Sequence, residues 1–589
     1  MKFRTLRNWE KPEELEGMVF FAQLLEELLF DYSLDTYKPS AMNTSTLCGE
    51  ARGLIGDIEQ EVIDSANLNY VLEELVVNLK KDEVASGLVD IDVITIENKL
   101  VKENTTLTEK KTIVEILHSQ ILLSKYKEKT ESLLMEAISA AGEKNRIRAL
   151  ARSYITTLIS LGYSTRYLYP AVRRFFYWGE NRITKVEDLK IFFDLVSGKR
   201  YQYRAVLRAS TLFDEIKDSC APFKIDITKI LDEETAGYAR DKNFSVGDDE
   251  SFLVVNDIES LDVFSARDHA ESRVERLSTL VNFFHHKEVP TWEKSALLIN
   301  LDTGRPRKIS SAENPMLMCS DMKTAEAAVK LNSFINEFDL QFVSFQRFIR
   351  AAELHSLALR SDSPENQLLN LWVALETIVP SKLGRSKAKI NNVIDSIIPF
   401  LSLNYIYSLT DRLVRDYRIW NRSALNRALH GIDGDNDRQK FIRLLLLEDC
   451  ADARSSLYSD LGNFYLLRNR THYFATSLSS PKKISRILKA HADRVDWQIR
   501  RIYRTRNQIV HAGHTPRYIN VLIKNIHDYL DIVLGTIGDL ASDGERFRTN
   551  DQIFKYVEIK YLEYEKELKD AAGNINQENI EALVINKRI

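Results

Sequence analysis

The chain has 589 residues, of which 44% are hydrophobic and 28% charged, with only 21 Gly and 12 Pro; this excludes a disordered chain and a turn-rich all-β fold, and leaves room for about three or four domains. A formal charge of −4 excludes a globally basic nucleic-acid binder but not a local basic patch. Cys48, Cys220, Cys319 and Cys450 show neither CxxC nor zinc-ligand spacing, and no window approaches a membrane-spanning run, so reduced thiols in a cytoplasmic protein are expected.

The pattern predicts a mainly α protein in four parts: a mostly helical region at 1–145, a smaller α+β region at 146–325, a helical bundle at 326–545, and a charged helical tail at 546–589. Met18 to Leu29 is apolar around a Glu-Glu pair, and a polar linker at 38–46 leads to a second helical stretch near Gly53–Leu79. Leu88 to Ile96 alternates as a strand does. Asp92, Glu97 and Lys99 at its end resemble a metal-dependent nuclease core only faintly, being too close in sequence to sit on separate strands, and a plain strand end is expected. Arg146 to Arg174 is rich in Arg and Tyr and runs on to Arg173-Arg-Phe-Phe-Tyr-Trp178. Such a mixture clamps single strands in some proteins, but more often it is a helix packing its aromatic side under arginine stems.

Tyr201–Ala209 and Phe252–Asn256 read as strands, the polar stretch 241–250 as a loop, and Ala266–Phe284 as a helix followed by a turn at His285-His286. Leu301–Lys308 reads as a loop with no phosphate-cradling pattern, and the absence of GxxxxGK[ST] or a post-strand GxGxxG argues against a nucleotide-driven motor. From Lys323 onward helices follow one another. A long one is expected over Leu331–Leu359, then one opened by Ser363-Pro364 and carrying Trp372 and Glu376, then Lys389–Leu403, Ile406–Ala428 and Arg438–Leu447, with a turn at 431–436. Glu376 either orients an arginine of a neighbouring helix or is an exposed carboxylate.

Arg494 to His511 reads as one helix with Val495, Ile499, Ile502, Ile509 and Val510 facing a core. Arg506 falls on that stripe, whereas Arg500, Arg504, Asn507 and His511 form a separate basic face expected to be wet. Gly513 reads as its C-cap, and Thr515-Pro516 as the start of the next helix, which would run over Arg517–Leu540. The surroundings are locally basic, with Arg501 and Arg517 beside the motif. Arg506 and His511 point roughly 140° apart on a straight helix, so two copies meeting on a two-fold axis would combine one chain's histidine with the other's arginine.

The stretch Arg506-Asn507-x3-His511 resembles the Arg-x4-His signature of the HEPN superfamily, whose active members are metal-independent ribonucleases. Leu371-Trp-Val-Ala-Leu-Glu-Thr-Ile-Val379 resembles the first bundle helix of its ApeA-like branch, bacterial proteins tied to phage defence. The resemblance covers about residues 330–545. Arg350-x4-His355 and Arg486-x4-His491 share the spacing without the Asn and are expected to be ordinary side chains, as is Arg468-Asn-Arg-Thr-His472, one residue short.

The resemblance implies an endoribonuclease in which His511 moves the proton, Arg506 stabilises the pentavalent phosphate and Asn507 orients, with Arg500, Arg501, Arg504 and Arg517 holding RNA and Glu376 in support. It implies no metal or cofactor, a homodimer through the bundle, and a growth-arresting defence or toxin role. The N-terminal region would meet a protein or nucleotide trigger. The rivals are a non-catalytic HEPN module that binds nucleotide or RNA, and a helical interaction scaffold.

Overall fold

A computed structural model describes residues 3–30, 42–61, 63–103, 105–180, 182–318, 322–380, 389–542 and 547–589; Cys319 and part of the 38–46 linker lie outside them. The protein is mainly α with one small antiparallel sheet. In chain order its elements include α1 (Glu16–Phe30), α2 (Thr44–Glu59), α3 (Ala66–Leu79), α4 (Leu123–Ser139) and α5 (Lys144–Leu161). Then come strands β1 (Tyr201–Ser210), β2 (Ile225–Thr228), β3 (Glu250–Ser260), β4 (Trp292–Asn300) and β5 (Arg305–Ser310), interleaved with α6 (Glu233–Asp241) and α7 (Val263–Phe284). After them follow α8 (Phe342–Arg360), α9 (Pro364–Ile378), α10 (Lys389–Leu403), α11 (Tyr405–Leu429), α12 (Tyr465–Ser477), α13 (Pro481–Ala512), α14 (Ile519–Ala541) and α15 (Asn550–Asp570). They form two units, one of residues 1–6, 11–156 and 314–589, the other of residues 7–10 and 157–313.

The first unit is organised by α1. A helix that is apolar on every side belongs inside a core, and each residue from Met18 to Leu28 is buried. Its polar exceptions are each answered. Gln23 donates to the Asn463 carbonyl at 2.8 Å and accepts from the Leu466 amide at 2.9 Å. Glu27 takes both nitrogens of Arg470 at 2.6 Å, a buried fork, and Glu26 takes Arg4 at 2.7 Å. A Cβ at Gly17 would lie 2.6 Å from the Ile138 carbonyl oxygen, so α1 approaches α4 only because position 17 has no side chain. These bonds tie the first 30 residues to α12, more than 400 residues away. The expected 1–145 region and 326–545 bundle therefore share one core.

Three local expectations need correction. Leu88–Ile96 is not a strand: Asp92 caps a short helix, Val93–Glu97, by accepting from the Thr95 amide at 2.9 Å, and Glu97 pairs with Lys80. The expected Leu331–Leu359 helix is two, Thr324–Glu337 and α8, separated at Phe338–Gln341. The charged tail is no tail, because Ile553, Phe554, Val557, Tyr564 and Leu568 of α15 are buried and α15 packs on α10 and α13.

The second unit is the α+β part. Its sheet runs β2-β3-β1-β4-β5, all antiparallel, and the alternation of β1 sends Ala205, Leu207 and Ala209 to one face and Val206 to the other. Ala266, Ala270, Val274 and Leu277 of α7 cover the first face, and Ala239 of α6 with Phe244 covers the second. The stretch 301–308, expected as a loop, is the β4–β5 hairpin. Phe175, Phe176 and Tyr177 are buried, so this end of the Arg-aromatic run is packing, while Arg173 lies 3.6 Å over the ring of the exposed Trp178.

Candidate functional site

The motif lies at the end of the longest helix. α13 opens with Pro481 in its first turn and runs for 32 residues on a buried stripe of Ile484, Leu488, Val495, Ile499 and Ile502. It stops at Gly513, whose φ of 61° and ψ of 22° are left-handed, a conformation costing any side chain about 1–2 kcal/mol. The stripe does not reach that far: Ile509 is half-buried and Val510 is 49% exposed, so the last turn leaves the core. The following helix begins at Ile519, not at Pro516; Thr515 instead donates its hydroxyl to Glu365 at 2.9 Å and ties the motif loop to the start of α9.

Arg506 and Asn507 are half-buried, and His511, His514 and Arg517 are exposed. Arg506 Nη1 donates to Asn507 Oδ1 at 3.0 Å, while its buried Nε has no hydrogen-bond partner. Asn507 therefore holds the guanidinium, where the expectation was that it orients substrate or His511. Glu376 does not orient the motif arginine; its carboxylate lies 3.0 Å from Lys389. The two stretches that carry the family resemblance do meet, Trp372 of α9 packing on Tyr503 with ring centroids 5.5 Å apart.

The basic face is wet only at its end, at His511; its arginines are buried, which corrects the expectation for three of the four arginines assigned to RNA. Arg500, Arg501 and Arg504 are 9%, 1% and 3% exposed. Glu50 of α2 accepts from Arg501 at 3.2 Å and from Arg504 at 2.8 Å, and Glu74 of α3 accepts from Arg501 at 2.5 Å. One α2 turn pair further, Asp57 accepts from Gln508 at 2.7 Å. Positions 50 and 57 lie two turns apart on α2, as 501 and 508 do on α13, so the two faces match in pitch. Arg500 pairs with Asp496 at 2.7 Å and lies 3.6 Å over the Tyr70 ring. Burial pushes the Glu50 carboxyl up, but Arg501 and Arg504 outweigh it and hold it below its usual range; at Glu74 burial wins and the carboxyl is raised. Arg517 alone of the four is open to solvent.

The look-alike spacings behave differently. His491 is buried and stacked on Tyr405, 3.8 Å between centroids and 8° between planes. Burial, then Arg494, pulls its pKa down to about 3 from 6.5. A group that resists protonation only when folded contributes its full stability above pH 6.5, and loses it as pH falls through the window down to about 3. By pH 5 the loss is about 2 kcal/mol. His491→Phe, which keeps the stack, is expected to flatten the fall in urea-unfolding free energy between pH 7 and pH 5; an unchanged slope would contradict the assignment.

A cavity of about 160 Å³ is lined by Arg148 and Arg152 of α5, Arg494 of α13, and Tyr405 and Tyr473. Arg148 lies 4.9 Å over the Tyr473 ring. Three guanidiniums and two phenols in one recess suit an anionic, ring-bearing ligand. Among the described residues one group of metal-ligating side chains also converges, His355, His527 and Asp531, and it shares no residue with the motif. A comparison of the chain with protein-family models, curated proteins and solved structures returns no match.

Proposed function

We propose that this protein is a HEPN-type endoribonuclease that needs no metal for cleavage and acts as a cytoplasmic homodimer. The observation that carries the reading is the set of side chains closing α13: a guanidinium held by Asn507, an exposed imidazole at His511 and an exposed Arg517, at a helix end tied down by Thr515. RNA supplies its own nucleophile. One His511 takes the 2′-hydroxyl proton, the 2′-oxygen attacks phosphorus, and the His511 of a second copy returns a proton to the departing 5′-oxygen, leaving a 2′,3′-cyclic phosphate. Arg506 stabilises the added negative charge with bonds that strengthen as the phosphorane forms. The exposed Val510 beside His511 offers apolar surface for the second copy.

In this reading α2 and α3 damp the enzyme without silencing it, since Arg506, His511 and Arg517 stay outside their ion pairs. Their carboxylates occupy the arginines that would otherwise follow an RNA backbone, and a trigger that lifts them would switch the basic face on. A growth-arresting defence role rests on the ApeA-like resemblance. Expression of the wild type in a bacterial host is expected to slow growth and fragment total RNA, and His511→Ala is expected to do neither at equal protein level. Equal fragmentation by both would overturn the reading.

The Arg148–Arg152–Arg494 recess favours a second reading, a module that binds a nucleotide or RNA end without cutting it. It is distinguished by saturable binding of a nucleotide with RNA left intact.

A further inference from the structure

His355 entered as a chance match to the Arg-x4-His spacing, yet its surroundings have a chemistry of their own. It projects from α8 toward α14, where His527 and Asp531, one turn apart, share a face. His355 Nε2 lies 3.2 Å from Asp531 Oδ1, His527 Nε2 lies 3.3 Å from Asp531 Oδ2, and the imidazole centroids are 4.9 Å apart. One ligand atom from each residue falls within 4.8 Å of the others.

These spacings are long for charge-assisted hydrogen bonds, and each imidazole nitrogen faces its own oxygen of the one carboxylate. Charge-assisted nitrogen–oxygen bonds run at about 2.7–2.9 Å. His355 Nε2 is shielded from solvent yet makes no hydrogen bond, although the carboxylate is within ion-pair range. Zinc bound at about 2.0–2.1 Å to imidazole nitrogen and carboxylate oxygen in a tetrahedron puts neighbouring ligand atoms about 3.3–3.4 Å apart. His527 is buried, which fixes its ring, while Asp531 is half in solvent, which gives an ion a way in. Two imidazoles and one carboxylate suit zinc over calcium or magnesium.

We propose that His355, His527 and Asp531 form a divalent transition-metal site, selective for zinc, that clips α8 to α14 and keeps a fourth position for water. It is independent of the nuclease reading, since none of the three belongs to the α13 cluster.

The test is zinc binding by the full, tag-free chain, followed by calorimetry and by thermal unfolding, with magnesium as the control ion. One zinc per chain is expected, with an unfolding midpoint that rises with zinc and not with magnesium. His355→Ala and Asp531→Asn, both at partly exposed positions, are expected to weaken binding at least about 100-fold, the range reached by loss of even an outer partner. Replacing the exposed pair His285 and His286 by alanine is expected to change nothing, which separates a built site from surface histidines. Absence of zinc binding, binding undiminished in both site variants, or loss confined to the His285/His286 variant would each overturn the proposal.

Discussion

Arg506→Ala is expected to slow RNA cleavage by about 10²- to 10³-fold while leaving thermal unfolding nearly unchanged. The split follows from where the side chain sits. Its guanidinium bonds to its own neighbour, Asn507, at 3.0 Å, and its Nε is unpartnered, so the fold loses little with it. The proposed transition state loses its charge stabiliser. Lysine at 506 is expected to rescue only part of the rate, because an ammonium cannot bond two phosphate oxygens in a plane. Cleavage assays on defined RNA, paired with unfolding midpoints, check both halves. A variant that unfolds easily, or that cleaves at the wild-type rate, would show that Arg506 serves the helix and not the reaction.

Glu50→Ala is expected to have the largest effect on stability, about 3–5 kcal/mol in urea unfolding, because it leaves two guanidiniums buried and short of partners. Arg501 would then keep Glu74, and Arg504 would lose its ion pair. Removing Arg504 as well is expected to recover part of the loss, and the double-mutant cycle gives the coupling directly. A loss under about 1 kcal/mol, the value of an exposed pair, would contradict the buried-network description. In the restraint reading the same variant, where still folded, binds RNA more tightly and with a steeper salt dependence than the wild type.

How much of this was legible in the residues depends on the range of the interaction. Local periodicity located the bundle helices: Lys389–Leu403 has the bounds read from its pattern, Ser363 caps α9 by accepting from the Asn366 amide, and Gly513 ends α13 in the left-handed conformation. The partner of the basic face was not legible. Arg500, Arg501 and Arg504 look like a solvated stripe until α2 and α3, more than 400 residues earlier, are laid against them. Only the two-turn spacing of Glu50 and Asp57 matched it, and one sequence gives no reason to pair those helices.

Other misses came from weak local signals overridden by packing. Alternation in Leu88–Ile96 yielded to the Asp92 cap, and the charges of 551–569 hid a buried row of Ile553, Val557, Tyr561, Tyr564 and Leu568 at helical intervals. The convergence of His355 with His527 and Asp531 has half a signature, the i, i+4 pair on α14; its third member comes from another helix.

The end chemistry of the cut RNA tests the central claim most directly. RNA incubated with the wild-type protein in excess chelator is expected to carry 2′,3′-cyclic phosphate and 5′-hydroxyl ends, and His511→Ala is expected to yield none. Cleavage that stops in chelator while the protein stays folded, 3′-hydroxyl ends, or identical products from His511→Ala would contradict it.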